Sequence, residues 1–197
     1  MDITRIRALR GPNLWSRHTA LEAVVECSPS ERDMTGLPGL ESALRERFPD
    51  LGALPAASTE PVSLASVLAR VALRLQIQAG CNVLFAGAIP TSQPGISRVV
   101  VEYTQEAVGR LALESAHALC ESALANTPFN IDASLAQLQE LDEEVRLGPS
   151  TGSIVHAAVA RGIPYRRLTE GSLVQFGWGI HQRRIQAAEI DRTSAIA

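Results

Sequence analysis

The sequence lacks any excess of basic residues. Its 18 basic residues are opposed by 21 acidic ones, which gives a net charge of -3. Proteins that bind nucleic acid in general gain affinity from counterion release, and that gain needs a strong basic excess. The near balance of charge therefore argues against a general nucleic-acid binder. The absence of any block of like charge also argues against a disordered tail.

Long apolar runs and a basic-then-apolar leader are also missing. No stretch approaches the roughly eighteen apolar residues that a membrane span requires, and the first residues do not have the pattern of a signal peptide. We therefore expect neither a membrane partner nor secretion. The three cysteines, Cys27, Cys81 and Cys120, are few, odd in number and set in apolar surroundings. They predict buried, reduced thiols and a cytoplasmic protein.

Familiar catalytic patterns do not stand out either. The chain has no Cys/His dyad signature and no paired-carboxylate motif, and the Gly-x-Ser-x-Gly spacing at 148–152 follows a predicted helix instead of the strand of a nucleophile elbow. Of the histidines on predicted helices, only His117 has acidic neighbours at helical spacing, Glu114 and Glu121, and a solvated helix face is the simpler interpretation. The segment from Gly148 to Ser153 opens a helix and would suit an anion. It lacks the lysine of a P-loop, so helix capping by Ser150 or Thr151 is the default interpretation.

The composition suffices for a substantial hydrophobic core, because 46% of the residues are hydrophobic and 20% are charged. Period-two alternation and short apolar runs predict strands at 3–9, 19–27, 81–86 and 96–103. Helical spacing predicts helices at 40–48, 63–78, about 106–124 and 134–145. This order is not the strict alternation of a doubly wound sheet. It favours an α+β two-layer domain with a mixed, mostly antiparallel four-stranded sheet and packed helices.

The pattern changes from Gly148 onward. A helix of small residues at 153–161 ends at Gly162, and short strands are predicted at 163–168 and 173–176. We therefore predict a boundary near Leu147. It separates a first domain, 1–147, from a small α/β segment, 148–197.

Five motifs occur in a specific order along the chain. They are Arg10-Gly-Pro-Asn-Leu-Trp-Ser-Arg17, Pro94-Gly-Ile-Ser-Arg-Val-Val-Val-Glu-Tyr103, Leu147-Gly-Pro-Ser-Thr-Gly-Ser-Ile-Val155, Ser172-Leu-Val-Gln-Phe-Gly-Trp-Gly179 and Gln182-Arg-Arg-Ile-Gln186. In this order they resemble the N-terminal region of cyanophycin synthetases, and the resemblance covers essentially the whole chain.

The resemblance implies a larger protein. In that family this region precedes an ATP-grasp domain, which ligates arginine or aspartate through an acyl phosphate, and then a Mur-ligase-like domain. Residues 148–197 would be the start of the ATP-grasp region, and the chain would end at Ala197 at the threshold of a missing domain. ATP and magnesium are implied for the absent ligase domains, and we expect no cofactor in this chain.

The resemblance also identifies a departure from the family. Many members carry a metallopeptidase-like site on a helix with Glu-His-x-x-x-Glu, which trims the polymer. Here Ala69, Arg70 and Arg74 stand at the positions of the first acid, the imidazole and the second acid. Arginine has no lone pair for a metal and stays protonated. We therefore expect no catalytic residue and no metal there, and we expect Glu102, which matches the family's F-E-Y pattern, to pair with Arg70 or Arg74.

Cyanophycin is an aspartate backbone that carries arginine on each side chain, so each unit presents a guanidinium and a carboxylate. A surface that holds it needs interspersed charges of both signs. The candidate polymer-binding residues are Arg10, Arg17, Arg70, Arg74, Glu102, Arg183 and Arg184, with Arg5, Arg7, Glu22 and Glu26 as further contributors. For Arg183 and Arg184 a structural role, tying their strand to the next domain, is an equal alternative.

The leading hypothesis is a non-catalytic N-terminal portion of a cyanophycin synthetase that anchors the polymer and supports the ligase domains. Two alternatives stay open. The first is a residual metallopeptidase-like hydrolase with a displaced metal set, His117 with Glu114 and Glu121. The second is a purely structural module that forms a homo-oligomer.

Overall fold

The computed structural model describes residues 1–52, 54, 62–169, 171–187 and 189–190. The end of the chain, 191–197, lies outside the described residues. The helices are α1 (Leu40–Arg47), α2 (Leu64–Gln78), α3 (Glu106–Leu124), α4 (Ile131–Val145) and α5 (Pro149–Ala160). The strands are β1 (Asp2–Leu9), β2 (Ala20–Glu26), β3 (Ala86–Pro90), β4 (Ile96–Glu102), β5 (Tyr165–Arg167), β6 (Val174–Phe176), β7 (Arg183–Gln186) and β8 (Glu189–Ile190).

The first four strands form one sheet in the order β1-β2-β4-β3, and every neighbouring pair is antiparallel. Alternate residues of the central strands, such as Ala23, Val25, Val99 and Val101, enter a single core together with buried residues of α2 and α3. The helices therefore cover one face of the sheet. This arrangement confirms the predicted two-layer α+β fold.

The long helices begin and end close to their predicted positions. The hydroxyl of Ser63 accepts a hydrogen bond from the Ser66 amide and caps α2, and Asn130 caps α4 in the same way through the Ala133 amide. The predicted capping of α5 by Ser150 or Thr151 is wrong. That helix begins at Pro149 directly after Gly148 without a side-chain cap, because proline is already suited to the first helical position.

The third strand lies later in the sequence than predicted. Residues 81–85 form no strand, and β3 instead pairs Ala86 with Val101 and Pro90 with Ser97. The turn at 91–95 sets the register of β3 and β4. With this register the end of β4 lies opposite the beginning of β3, so the residues before β3 have no partner in the ladder. Pro90 is tolerated because β3 is an edge strand.

The last four strands form a second antiparallel sheet in the order β5-β6-β7-β8. Its small apolar cluster contains Val155 of α5, Val174 of β6 and Ile185 of β7, and it is separate from the main core. Its strands β5 and β6 lie within the predicted strands at 163–168 and 173–176. The domain boundary near Leu147 stays a prediction.

The cysteines lie where their apolar surroundings predict. Cys27, Cys81 and Cys120 are all buried and free. Burial raises the pKa of Cys81 to about 11 and that of Cys120 to about 12. At neutral pH these thiols are protonated and act as small apolar side chains.

No helix in the described ranges is both long enough and apolar enough to cross a bilayer.

Candidate functional site

The face of the first sheet that is turned away from α2 and α3 carries charges of both signs. We call it the open sheet face and define it by Arg5, Arg7, Glu22, Glu26 and Arg98. The register of the sheet places Arg5 and Arg98 on either side of Val24, and Arg7 opposite Glu22. Paired residues on neighbouring strands project to the same side. The fold thus brings these three cations and two acids from three strands to one side of the sheet, where Asp2 also lies opposite Glu26.

Glu22 is the buried centre of this face, with only 4% of its surface exposed. Its Oε2 accepts hydrogen bonds from Arg7 Nη2 at 2.9 Å and from Trp15 Nε1 at 3.0 Å. Burial by itself raises the pKa of Glu22, but the hydrogen bonds from Arg7 and Trp15 and the nearby charge of Arg98 together hold it below its usual range. The carboxylate therefore stays ionised and fixes Arg7 and Trp15 in place.

Trp15 reaches Glu22 because the loop between β1 and β2 is held by one asparagine. Asn13 Oδ1 accepts from the amides of Trp15 and Ser16, and its Nδ2 donates to the carbonyls of Gly11 and His18. An Asx-type turn of this kind replaces backbone hydrogen bonds that a loop cannot form. Asn13 in the first motif is therefore structural, and it delivers Trp15 to the sheet.

Arg10 and Arg17 flank the same loop but differ in their contacts. Arg10 forms an ion pair with Glu106 at 2.8 Å, and Glu106 also pairs with Arg110 at 3.0 Å. Burial raises the pKa of Glu106, whereas the two arginines lower it, and the net direction is downward. Arg10 thus ties the loop to the start of α3. Arg17 is exposed and makes no hydrogen bond or ion pair with any residue that the structure describes.

Arg70 and Arg74 lie on α2 next to the short 3-10 turn Pro49–Leu51. Arg74 donates from Nε and Nη2 to the carbonyl oxygen of Asp50, at 3.1 and 2.7 Å. Arg70 has a buried Nε without a hydrogen-bond partner among the described residues. Ala69, the other position of the family's metal motif, is 1% exposed and belongs to the core.

Glu102 does not pair with either arginine, so that prediction is wrong. Its Oε2 accepts from the amides of Leu84 and Phe85, both at 2.9 Å. These amides precede β3 and have no ladder partner, so a carboxylate at the end of β4 supplies the missing acceptor. Glu102 stabilises the entry into β3 and is itself buried.

Arg183 and Arg184 belong to the second sheet. They are exposed on β7, opposite Phe176 and Gln175 of β6. Arg183 Nη1 donates to the neighbouring Gln182 carbonyl. The seven candidate residues therefore fall at the β1–β2 loop, on α2, at the end of β4 and on the second sheet, and they do not form one site.

The structure adds one residue that the sequence reasoning missed. Arg98 lies in the Pro94–Tyr103 motif but was not among the candidates. A period-two count along β4 would have found it, because core residues Val99 and Val101 leave position 98 on the opposite face. Only the pairing of β4 with β2 shows that this face also carries Arg5 and Glu22.

The displaced metal set gains no support from the geometry. His117 Nε2 lies 2.8 Å from the Met1 carbonyl oxygen and 3.8 Å from Glu121. Within the described part of the chain, no three histidine, cysteine or acidic side chains are grouped so as to hold a metal ion.

Comparison with known proteins gives a consistent family. The model of the cyanophycin synthase-like N-terminal domain matches residues 24–125. The chain is 33% identical to the cyanophycin synthetase of Trichormus variabilis in an alignment of 212 residues, which covers 100% of this chain and 24% of the relative. It is 34% identical to that of a Synechocystis strain over 203 residues, covering 95% and 23%. It is 32% identical to that of Geminocystis herdmanii over 212 residues, covering 100% and 24%.

The chain thus spans about a quarter of the length of these curated relatives. The family model covers more than half of the chain, and it includes β4 with the motif that ends in Glu102 and Tyr103. On these grounds the chain belongs to the family of cyanophycin synthase-like N-terminal domains.

Proposed function

We propose that this chain is the non-catalytic N-terminal portion of a cyanophycin synthetase and anchors the aspartate–arginine polymer for the ligase domains. The observation that supports it best is the open sheet face, where Arg5, Arg7 and Arg98 lie on the same side of the sheet as Glu22 and Glu26. A polymer that presents a guanidinium and a carboxylate in each unit is complementary to such a face. Glu26 and the exposed arginines make the contacts, and Glu22 holds Arg7 in position.

Arginine is well suited to this role. All 18 basic residues of the chain are arginines, and there is no lysine. A guanidinium offers a planar fork that binds a carboxylate through two hydrogen bonds, which an ammonium does not. A single exposed ion pair contributes about 0–1 kcal/mol. Several such pairs along one polymer chain add up through high effective concentration.

The proposal assigns no chemistry to this chain. Arg70 and Arg74 stand at the positions where the resembled peptidase site has metal ligands, and a pair of protonated guanidiniums repels a divalent cation. Ligation, with its ATP and magnesium, belongs in this proposal to the ATP-grasp and Mur-ligase-like domains. A cytoplasmic location goes with it, supported by the three free, buried thiols.

Residues 148–197 form the start of the ATP-grasp region in this proposal. They support the ligase domains because Arg167 of β5 connects them to the first domain. Its Nη1 donates to the Gln105 side chain at 3.0 Å and to the carbonyl of Val145. Trp178 also lies close to the β1–β2 loop, since a β-carbon on Gly11 would be 3.6 Å from its ring. The second sheet is thereby attached to the domain that holds the polymer.

Co-sedimentation with insoluble cyanophycin tests the proposal. The wild-type chain should sediment with the polymer at low salt and release it at high salt, because ions screen exposed charge pairs. The double variant R5Q/R98Q should weaken binding roughly tenfold, since each exposed contact contributes up to about 1 kcal/mol. The matched control is R45Q, which removes an exposed arginine that pairs with Glu41 on α1.

Two results would count against the proposal. One is a wild-type chain that stays in the supernatant at low salt, and the other is an R45Q variant that loses as much binding as R5Q/R98Q. The first result, combined with a molecular size that rises with protein concentration, would favour the structural, self-associating alternative.

A further inference from the structure

Two guanidinium groups on α2, those of Arg70 and Arg74, lie next to the backbone of Gly52. A β-carbon placed on Gly52 would lie 3.9 Å from Arg70 Nη2 and 3.9 Å from Arg74 Cζ. Gly52 has φ 73° and ψ -160°, a conformation that side chains strongly disfavour. Gly52 thus places backbone without a side chain beside the two cations, which lie on the same side of α2 because they are four residues apart.

Among the described residues, no acid balances the charge at this place. Arg74 is oriented by the Asp50 carbonyl, which is neutral. Arg70 makes neither a hydrogen bond nor an ion pair with the described residues, although its Nε is buried. No carboxylate of the described chain pairs with either guanidinium, since Glu102 is engaged by the amides of Leu84 and Phe85. Two neighbouring like charges are unfavourable, and a bound anion offsets that cost.

We infer that Arg70 and Arg74, together with the turn at Gly52, form a carboxylate-binding site. A planar carboxylate fits because each guanidinium can donate two parallel hydrogen bonds to it. Arg74 is already held in place by Asp50, which leaves its Nη1 for the ligand and lowers the conformational cost of binding. The inference deepens the proposed function and rests on it for the source of the carboxylate, which is the polymer. The site lies on α2, apart from the open sheet face, and provides a second point of attachment for one polymer chain.

The same chemistry has two sources, a carboxylate of the polymer or a small free carboxylate, and the experiment separates them. The arginine Nε–H signals of the ¹⁵N-labelled 197-residue chain are recorded by NMR, and the signal of Arg70 is assigned by its loss in R70Q. The chain is titrated with acetate in one arm and with the β-aspartyl-arginine dipeptide in the other. We expect the Arg70 signal to shift and saturate in both arms, with the dipeptide bound at least tenfold more tightly.

Variants connect the shift to this pair of residues. R74Q should weaken the dipeptide affinity measured at Arg70 by about tenfold or more, because a hydrogen bond to a charged group is lost. The matched control is R166Q, which removes an exposed arginine on β5. It should leave the affinity unchanged within twofold. Thermal unfolding of each variant shows that it is folded. R74K provides a second variant, which retains the positive charge but not the planar guanidinium that donates two parallel hydrogen bonds.

The outcomes separate this inference from the proposed function. An Arg70 signal that does not shift saturably with either probe overturns the site, even if the chain sediments with cyanophycin through its sheet. Equal affinities for acetate and dipeptide overturn the polymer as the source. A saturable shift with the dipeptide in a chain that fails to sediment supports the site and contradicts only polymer anchoring.

Discussion

At the scale of single residues, the fold gives the arginine side chains different partners. Arg7 is fixed by Glu22, Arg74 by the Asp50 carbonyl, and Arg10 by Glu106. Arg70, by contrast, has no bonded partner in the part of the chain that the structure describes. Because arginine stays protonated under all ordinary conditions, it is these differences in surroundings, and not charge, that distinguish Arg70 from the arginines with fixed partners.

Glu22 leads to a prediction about pH. Burial alone would raise its pKa, but in the folded chain the hydrogen bonds from Arg7 and Trp15 hold the pKa below its usual range. A lowered folded pKa stabilises the protein above the unfolded pKa, and this contribution is lost as the pH falls through the folded pKa. We therefore expect the wild-type free energy of unfolding to decrease as the pH drops from about 5 towards 3, as followed by urea denaturation.

The variant E22Q isolates this carboxylate. It should lower stability at pH 7, because Arg7 and Trp15 lose a charged acceptor, and should flatten the decline below pH 5. Glu41 serves as the control, since it forms an exposed pair with Arg45, and E41Q should keep the wild-type slope. An E22Q profile parallel to the wild type over the whole range would show that this residue is not linked to the transition.

At the scale of elements, the helices followed from the sequence and the third strand did not. The helix α3 occupies the residues that its apolar spacing predicts, since its hydrogen bonds are internal to the segment. The strand β3 depends on its partner, because the turn at 91–95 sets the register and leaves 81–85 outside the ladder. An apolar run such as Cys81–Phe85 cannot by itself reveal where its partner strand ends.

Gly109 provides a test of how closely α3 approaches the sheet. A β-carbon there would lie 2.7 Å from Tyr103 Cβ and 3.4 Å from Leu21 Cδ1. The Tyr103 atom is fixed to the backbone and cannot move aside cheaply. Although alanine favours a helix by about 1 kcal/mol over glycine, overpacking costs about 1–3 kcal/mol. We expect G109A to destabilise the chain by about 1–2 kcal/mol in urea denaturation.

The variant S115A is the control for helix propensity, because Ser115 lies in α3 outside the buried core. It should leave stability unchanged or slightly raised. A G109A chain as stable as S115A would mean that α3 and the residue after β4 are less tightly packed than described.

At the scale of the whole molecule, Arg167 joins the second sheet to the start of α3 and the end of α4. Arg167 donates from Nη1 to Gln105 and Val145 and from Nε to Gly171. Each hydrogen bond contributes about 1 kcal/mol. We expect R167Q to increase cleavage by a nonspecific protease near residues 145–149 severalfold, while α2 and α3 stay protected from hydrogen exchange.

R166Q, one residue away on the exposed side of β5, should leave the cleavage rate near wild type. Equal cleavage of R167Q and wild type would show that other contacts hold the second sheet in place. Loss of protection in α2 and α3 as well would show that the chain unfolds as one cooperative unit.

The sequence by itself determined the class of fold, the positions of the long helices, the buried thiols and the family. These depend on local spacing, composition and ordered motifs, which are complete within short segments. Only the tertiary structure decided that Arg98 joins Arg5 and Glu22, that Glu102 serves the amides of Leu84 and Phe85, and that Arg70 and Arg74 border Gly52. These groupings depend on strand register and on the approach of a helix to a distant turn, and neither is encoded in the spacing along any single segment.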